Sequence, residues 1–142
     1  MPKLSAEEVV AELNRIFAEE VEAATRYLHL ASAVRGLDRL LVEQILKQGF
    51  ADTIQHAEVI AQKIRALGYV PRLEISVQCP ARPISGREAL QQALLFEEAA
   101  LEAYQELLRK VEGDVPLEEF VRSQIAIESA HVAQLRELLA GE

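Results

Sequence analysis

Apolar residues recur along this chain at intervals of three and four, the spacing of one helix face, in four stretches set apart by glycines and prolines. The first stripe runs Val10, Leu13, Phe17, Val21, Ala24, Leu28 and Ala31 and stops before Gly36, and Ser5 with Glu8 ahead of it has the spacing of a capping box. The second, Leu46, Phe50, Ala57, Ile60, Ile64 and Leu67, follows Asp38 as a candidate cap and ends at Gly68. The third, Leu90, Leu94, Leu101, Leu108 and Val111, opens on a second capping box at Ser85 and Glu88 and ends at Gly113. Asp114 and Pro116 then start a fourth through Leu117, Val121, Leu135 and Leu138, with proline placed where its missing N–H costs nothing.

The short turns at Gly36 and Gly113 predict two antiparallel helical hairpins. Between them Pro71, Pro80 and Pro83 forbid helix over residues 69–84. That segment reaches roughly 50 Å when extended, about the length of a thirty-residue helix, so it can carry the chain from one end of a bundle to the other. The expected architecture is therefore all-α, a four-helix bundle of two antiparallel hairpins joined by one long crossover. It forms a single domain over 1–142, with helices near 5–35, 38–67, 86–112 and 115–140.

Several stripe positions are polar, and these carry the chemistry. The first helix reads Leu13, Phe17, Glu20, Ala24, Tyr27, Ala31, and the third reads Leu90, Leu94, Glu97, Leu101, Tyr104, Leu108, with the same offset from Glu to Tyr. The second reads Leu46, Phe50, Thr53, Ala57, Ile60, with His56 three residues after Thr53. In the fourth, Leu117, Val121, Gln124, Glu128, His131, Leu135, a Glu-x-x-His pair replaces two core residues. Each interruption falls near the middle of its helix, so in a bundle of similar-length helices all lie at about one level. Taken singly, a core Glu or His is a satisfied hydrogen-bonding group. Together, three ionised carboxylates in a dry core cost several kcal/mol each, and no Lys or Arg falls on these faces to balance them. That leaves bound cations or strongly raised carboxylate pKa values, and for a cation mixed oxygen and nitrogen donors suit iron, with manganese the second option.

Composition narrows the field. With 15 Lys and Arg against 23 Asp and Glu the net charge is −8, and no strongly basic stretch offers a nucleic-acid surface. No apolar run approaches the length of a membrane span, and Met1 to Ser5 do not open a secretory leader, so the expected location is cytoplasmic. The single cysteine, Cys79, permits neither an internal disulfide nor a cysteine-based zinc site. Cys79, Arg72 and Arg82 read as decoration of a surface loop. His29 lies off its stripe and reads as a solvated surface histidine.

A Glu with a Tyr seven residues on, then an x-x-His unit on the next helix, then the whole pattern again, resembles the ferritin-like diiron carboxylate superfamily. The similarity is greatest to bacterioferritin, through Leu13-Asn14, Glu20, Tyr27, His56-Ala57, Glu97 and Glu128-Ser129-Ala130-His131. It covers all four helices. The resemblance implies a ligand set of Glu20, His56, Glu97, Glu128 and His131. In that set Glu20 with His56 serves one iron, Glu97 with His131 the other, and Glu128 bridges. It also implies oxidation of ferrous iron by dioxygen or peroxide, for storage or detoxification. Tyr27 and Tyr104 are either plain core aromatics or hydrogen-bond partners of the carboxylates.

Three departures set this chain apart. Thr53 stands where the family has its second bridging Glu, and two ferrous ions facing three carboxylates carry an uncompensated charge. A hydroxide can restore the balance. Asp52 is either an ordinary polar residue or a substitute ligand, its one-position shift turning it about 100° around the helix. Ile54 replaces the haem-ligating methionine, and with Met1 the only methionine no haem is expected. The chain ends at Glu142, where cage-forming relatives carry a fifth helix, which leaves a homo-oligomer of dimer size or larger without requiring a closed cage. The expected function is ferroxidase-type iron binding, with one or two ions per chain. Its alternatives are a degenerate subunit holding one ion or none, and an oxidase acting on an organic substrate at the same site.

Overall fold

The computed structural model describes residues 4–141. Met1, Pro2 and Lys3, read above against a leader and a haem ligand, and Glu142, read as the chain end, lie outside the described residues. The elements in order are α1 (Ala6–Ala33), β1 (Val34–Arg35), α2 (Arg39–Ala66), β2 (Ile84–Ser85), α3 (Gly86–Lys110) and α4 (Val115–Ala140). The molecule is an all-α four-helix bundle, and its two-residue strands amount to one short parallel bridge pairing Val34 with Ile84 and Arg35 with Ser85.

Local chemistry explains where the helices start. At α1 the capping box closes, with Glu8 N–H donating to Ser5 Oγ at 3.2 Å and Ser5 N–H to Glu8 Oε1 at 3.0 Å. Ser85 caps α3 by accepting from Glu88 N–H at 3.1 Å, but the Glu88 carboxylate is drawn outward to Arg82 at 3.0 Å, so the expected box is half made. Asp114 accepts from Leu117 N–H to begin α4. Asp38 precedes α2 without capping it through its side chain. Its carboxylate lies over Gly86 instead, where an added Cβ would sit 2.5 Å from Oδ2. The turn at Gly36, with φ of 118°, brings Asp38 across to the start of α3.

The apolar core falls into two clusters. One gathers Leu30, Val34, Val42, Leu46, Leu90 and Leu135. The other gathers Leu13, Ile16, Ile60, Ile64, Leu107 and Val121. Following α1 the chain passes from the second cluster to the first, and along α2 it returns. Along α3 it again runs from first to second, and α4 runs back. Thus α1 with α2 and α3 with α4 form antiparallel hairpins, while α2 and α3 are parallel, as the crossover requires. The crossover lies along α1, tied by Arg72 N–H to Asn14 Oδ1 at 2.8 Å and by Ser76 N–H to Glu22 at 3.4 Å.

Two stripe assignments need correction. Leu28 is 54% exposed and Leu138 39% exposed. A helix turns 100° per residue, so Leu28, next to the inward-facing Tyr27, falls about 100° round from it, past the edge of the face that carries Glu20, Tyr27 and Ala31.

Candidate metal centre

Between the two apolar clusters lies a polar layer. Its buried members are Glu20 from α1, Thr53 and His56 from α2, Glu97 from α3, and Gln124 and Glu128 from α4, with His131 partly covered beside them. Helices of 28, 28, 25 and 26 residues bring their midpoints to one height, which is why positions so far apart in sequence meet.

His56 Nδ1 is hydrogen-bonded to Glu128 Oε1 at 2.9 Å and stands 3.5 Å from Glu20 Oε2. His131 presents Nδ1 to Glu97 Oε2 at 3.6 Å. The two imidazoles lie nearly parallel, 5.4 Å between centroids and 11° apart. One donor atom each from His56, Glu128 and His131 falls within 4.8 Å of the others, close to the spacing at which a single cation can be held. Tyr27 reaches across from α1 to donate to Glu97 Oε1 at 2.7 Å, while Tyr104, buried on α3, has a hydroxyl with no partner. The two Glu-to-Tyr units are therefore not equivalent.

Asp52 does not enter the carboxylate layer. It accepts from Gln48 at 2.8 Å and lies 3.7 Å from His131 Nε2, on the outer side of that ring. A cavity of about 230 Å³ opens there, bounded by Tyr27, Gly49, Asp52 and His131, and it leads from the surface to the imidazole.

The protonation pattern follows from crowding. Burial pushes the Glu20 carboxyl above its ordinary range. Burial above all, with a hydrogen bond to Glu97 and the charges of Glu97 and Glu20 adding to it, carries Glu128 up to about 9 against the opposing bond from His56. Burial also raises Glu97, but bonds from His131, Glu128 and Tyr27 outweigh it and hold that group at about 2. Burial would lower His56, yet Glu128 and Glu20 together lift it to about 10. Without a cation, protons on this layer supply the positive charge that it requires.

Among the described residues, the buried oxygens without a hydrogen-bond partner are Glu20 Oε2, Tyr104 OH, Gln124 Oε1 and Glu128 Oε2. Folded proteins leave few such atoms, because each costs about 1–3 kcal/mol. Here they belong to the polar layer or border it, as expected of a donor set built for a ligand. Two contributors escaped the sequence reading. Gln124 lies on the stripe and was passed over as an interruption without charge. Gly49 gives the Tyr27 ring its room, since a Cβ there would come within 2.4 Å of Tyr27 Cε1. Its signal was a glycine in mid-helix, where the residue costs about 0.5–1 kcal/mol relative to alanine.

Residues 10–141 match the model of the ferritin-like domain, and the chain belongs to that family. Among solved structures it is similar to a ferritin-like diiron-carboxylate protein from Bacillus anthracis, with 26% identity over 96% of this chain and 99% of that one, at a TM-score of 0.83. It is also similar to the dodecameric thioferritin of Bacteroides fragilis, described as bacterioferritin-related, with 25% identity over 98% and 88% of the two chains and a TM-score of 0.84. A Dps protein from Vibrio cholerae shares the fold at 15% identity, with 94% and 90% of the chains covered and a TM-score of 0.85. No curated protein sequence matches. Among the described residues no helix is long and apolar enough to cross a membrane.

Proposed function

We propose that this protein binds ferrous iron in the polar layer and oxidises it, with Glu20, His56, Glu97, Glu128 and His131 as ligands. The observation that carries the reading is the set of unpartnered buried carboxylate oxygens facing two histidines, inside a family whose neighbour from B. anthracis is described as a diiron-carboxylate protein. Iron is the substrate. Each ferrous ion gives up one electron, and two of them reduce one dioxygen to hydrogen peroxide with uptake of two protons. Glu128, between His56 and Glu97, serves as the bridge. Asp52, at the mouth beside His131, attracts the incoming cation along the cavity at Gly49. By analogy with the dodecameric relative, the chain assembles with copies of itself.

A second reading rests on Thr53, which is 3% exposed and brings no charge to the layer. With three carboxylates the centre holds one ion firmly and the second weakly or not at all, which leaves a subunit that binds metal without turnover. Anaerobic titration of the metal-free chain with ferrous iron, followed by admission of oxygen, separates the two. Two tightly bound ions per chain and fast appearance of the ferric absorbance support the ferroxidase. One ion or none, with oxidation no faster than in buffer, supports the second reading.

A further inference from the structure

A cavity of about 450 Å³ lies away from the polar layer, between α1, α3 and the crossover. It lies within the usual size range of small-molecule pockets. Leu30, Ile84, Leu95 and Phe96 give its wall apolar surface. Arg26, His29 and Arg82 also line it, and no aspartate or glutamate does. Arg82 is exposed, as expected of a surface loop, and His29 is partly covered; both border this wall because the crossover runs back along α1 to reach β2.

Arg82 is anchored by Glu88 at 3.0 Å. Arg26 and His29 make no hydrogen bond or ion pair among the described residues, although both are only partly exposed and the chain carries a net charge of −8. An acidic protein has carboxylates to spare, yet none pairs with Arg26 or His29. No carboxylate lines the wall to hold ferrous iron. We propose that this cleft binds a small amphipathic organic anion, its apolar body against Leu30, Leu95 and Phe96 and its single anionic group at Arg26. A guanidinium provides charge-assisted hydrogen bonds to such a group, and the apolar surface excludes a bare inorganic ion as the natural occupant.

The test uses the full chain and 8-anilinonaphthalene-1-sulfonate, an aromatic sulfonate that fluoresces when sheltered from water. Saturable binding of one probe per chain is expected. Arg26→Gln should weaken it about tenfold, the loss of one charge-assisted contact. Leu95→Trp, at a position 67% exposed and so tolerant of size, should fill the mouth and abolish binding. Cys79, which also lines the cleft, should react more slowly with iodoacetamide when the probe is bound, an effect Leu95→Trp removes. Displacement by dodecanoate assigns an alkyl carboxylate as the preferred body and displacement by naphthalene-2-carboxylate an aromatic one; a probe that neither displaces overturns the proposal. Non-saturating binding, or equal affinity in Arg26→Gln and Leu95→Trp, overturns the proposal. So does a Cys79 that is unreactive in the assembled protein and reacts only on dissociation, since a second copy would then cover the cleft. Should Arg26→Gln lose helix by circular dichroism, Leu95→Trp decides alone. None of these readouts depends on iron.

Discussion

Glu128 has one oxygen bonded to His56 and the other buried without a partner. Its carboxylate is therefore costly to the metal-free protein and useful only when a cation arrives, a trade of stability for function. Glu128→Gln should bind ferrous iron at least a hundredfold more weakly, beyond the ~10–100-fold that loss of a supporting hydrogen bond costs. The metal-free variant should melt no lower than the parent, and calorimetry alongside an iron titration checks both signs. Thr53 poses the opposite case. Thr53→Glu adds a buried carboxylate, which should lower metal-free stability by a few kcal/mol. It should also raise tightly bound iron to two ions per chain if the parent falls short of that, and iron should restore the melting temperature. At this scale the sequence was most readable where charge replaced an apolar residue on a stripe, as at Glu20 and Glu97. It was least readable where direction mattered. Spacing placed Asp52 one step from the stripe, but only the folded chain puts its carboxylate behind His131 and not beside Glu20.

Within the helices, the close approach of α1 to α2 at Gly49 sets the position of Tyr27. The ring lies on the glycine, packs edge-on against Phe96 at 4.8 Å and bonds Glu97 at 2.7 Å. Gly49→Ala should raise helix propensity yet destabilise the protein by about 1–3 kcal/mol, because the added Cβ overpacks against a ring held on two other sides. A lower urea midpoint checks this, and an unchanged or higher one contradicts it. Tyr27→Phe keeps the packing and removes only the hydroxyl. It should leave Glu97 short of a partner and weaken iron binding ~10–100-fold. The four helices were legible because glycine, proline and capping residues punctuate them. The half-made cap at Ser85 and the missing one at Asp38 were not, since Arg82 draws off the Glu88 carboxylate and the Asp38 carboxylate lies in the space over Gly86, far along the chain.

For the molecule as a whole, the polar layer divides the core into two apolar halves, so each half must hold its hairpin ends together without help from the middle. The long crossover follows from the same design, since parallel α2 and α3 require the chain to travel the length of the bundle. Its proline content made that legible, whereas the cleft it closes over α1 and α3 depends on where the segment lies. The exposed Leu37, Leu40 and Leu41 form an apolar tip at the turn between α1 and α2, and self-assembly is expected to cover part of it. Leu40→Asp should then shift sedimentation toward a smaller species with helix content unchanged. Iron is expected to enter the layer between the apolar clusters. Crystals exposed anaerobically to ferrous iron and measured at the iron absorption edge test it most directly. Anomalous density is expected between Glu128, His56 and His131, with a second peak nearby if the centre is dinuclear. Density confined to surface carboxylates, with the layer bare, would contradict it.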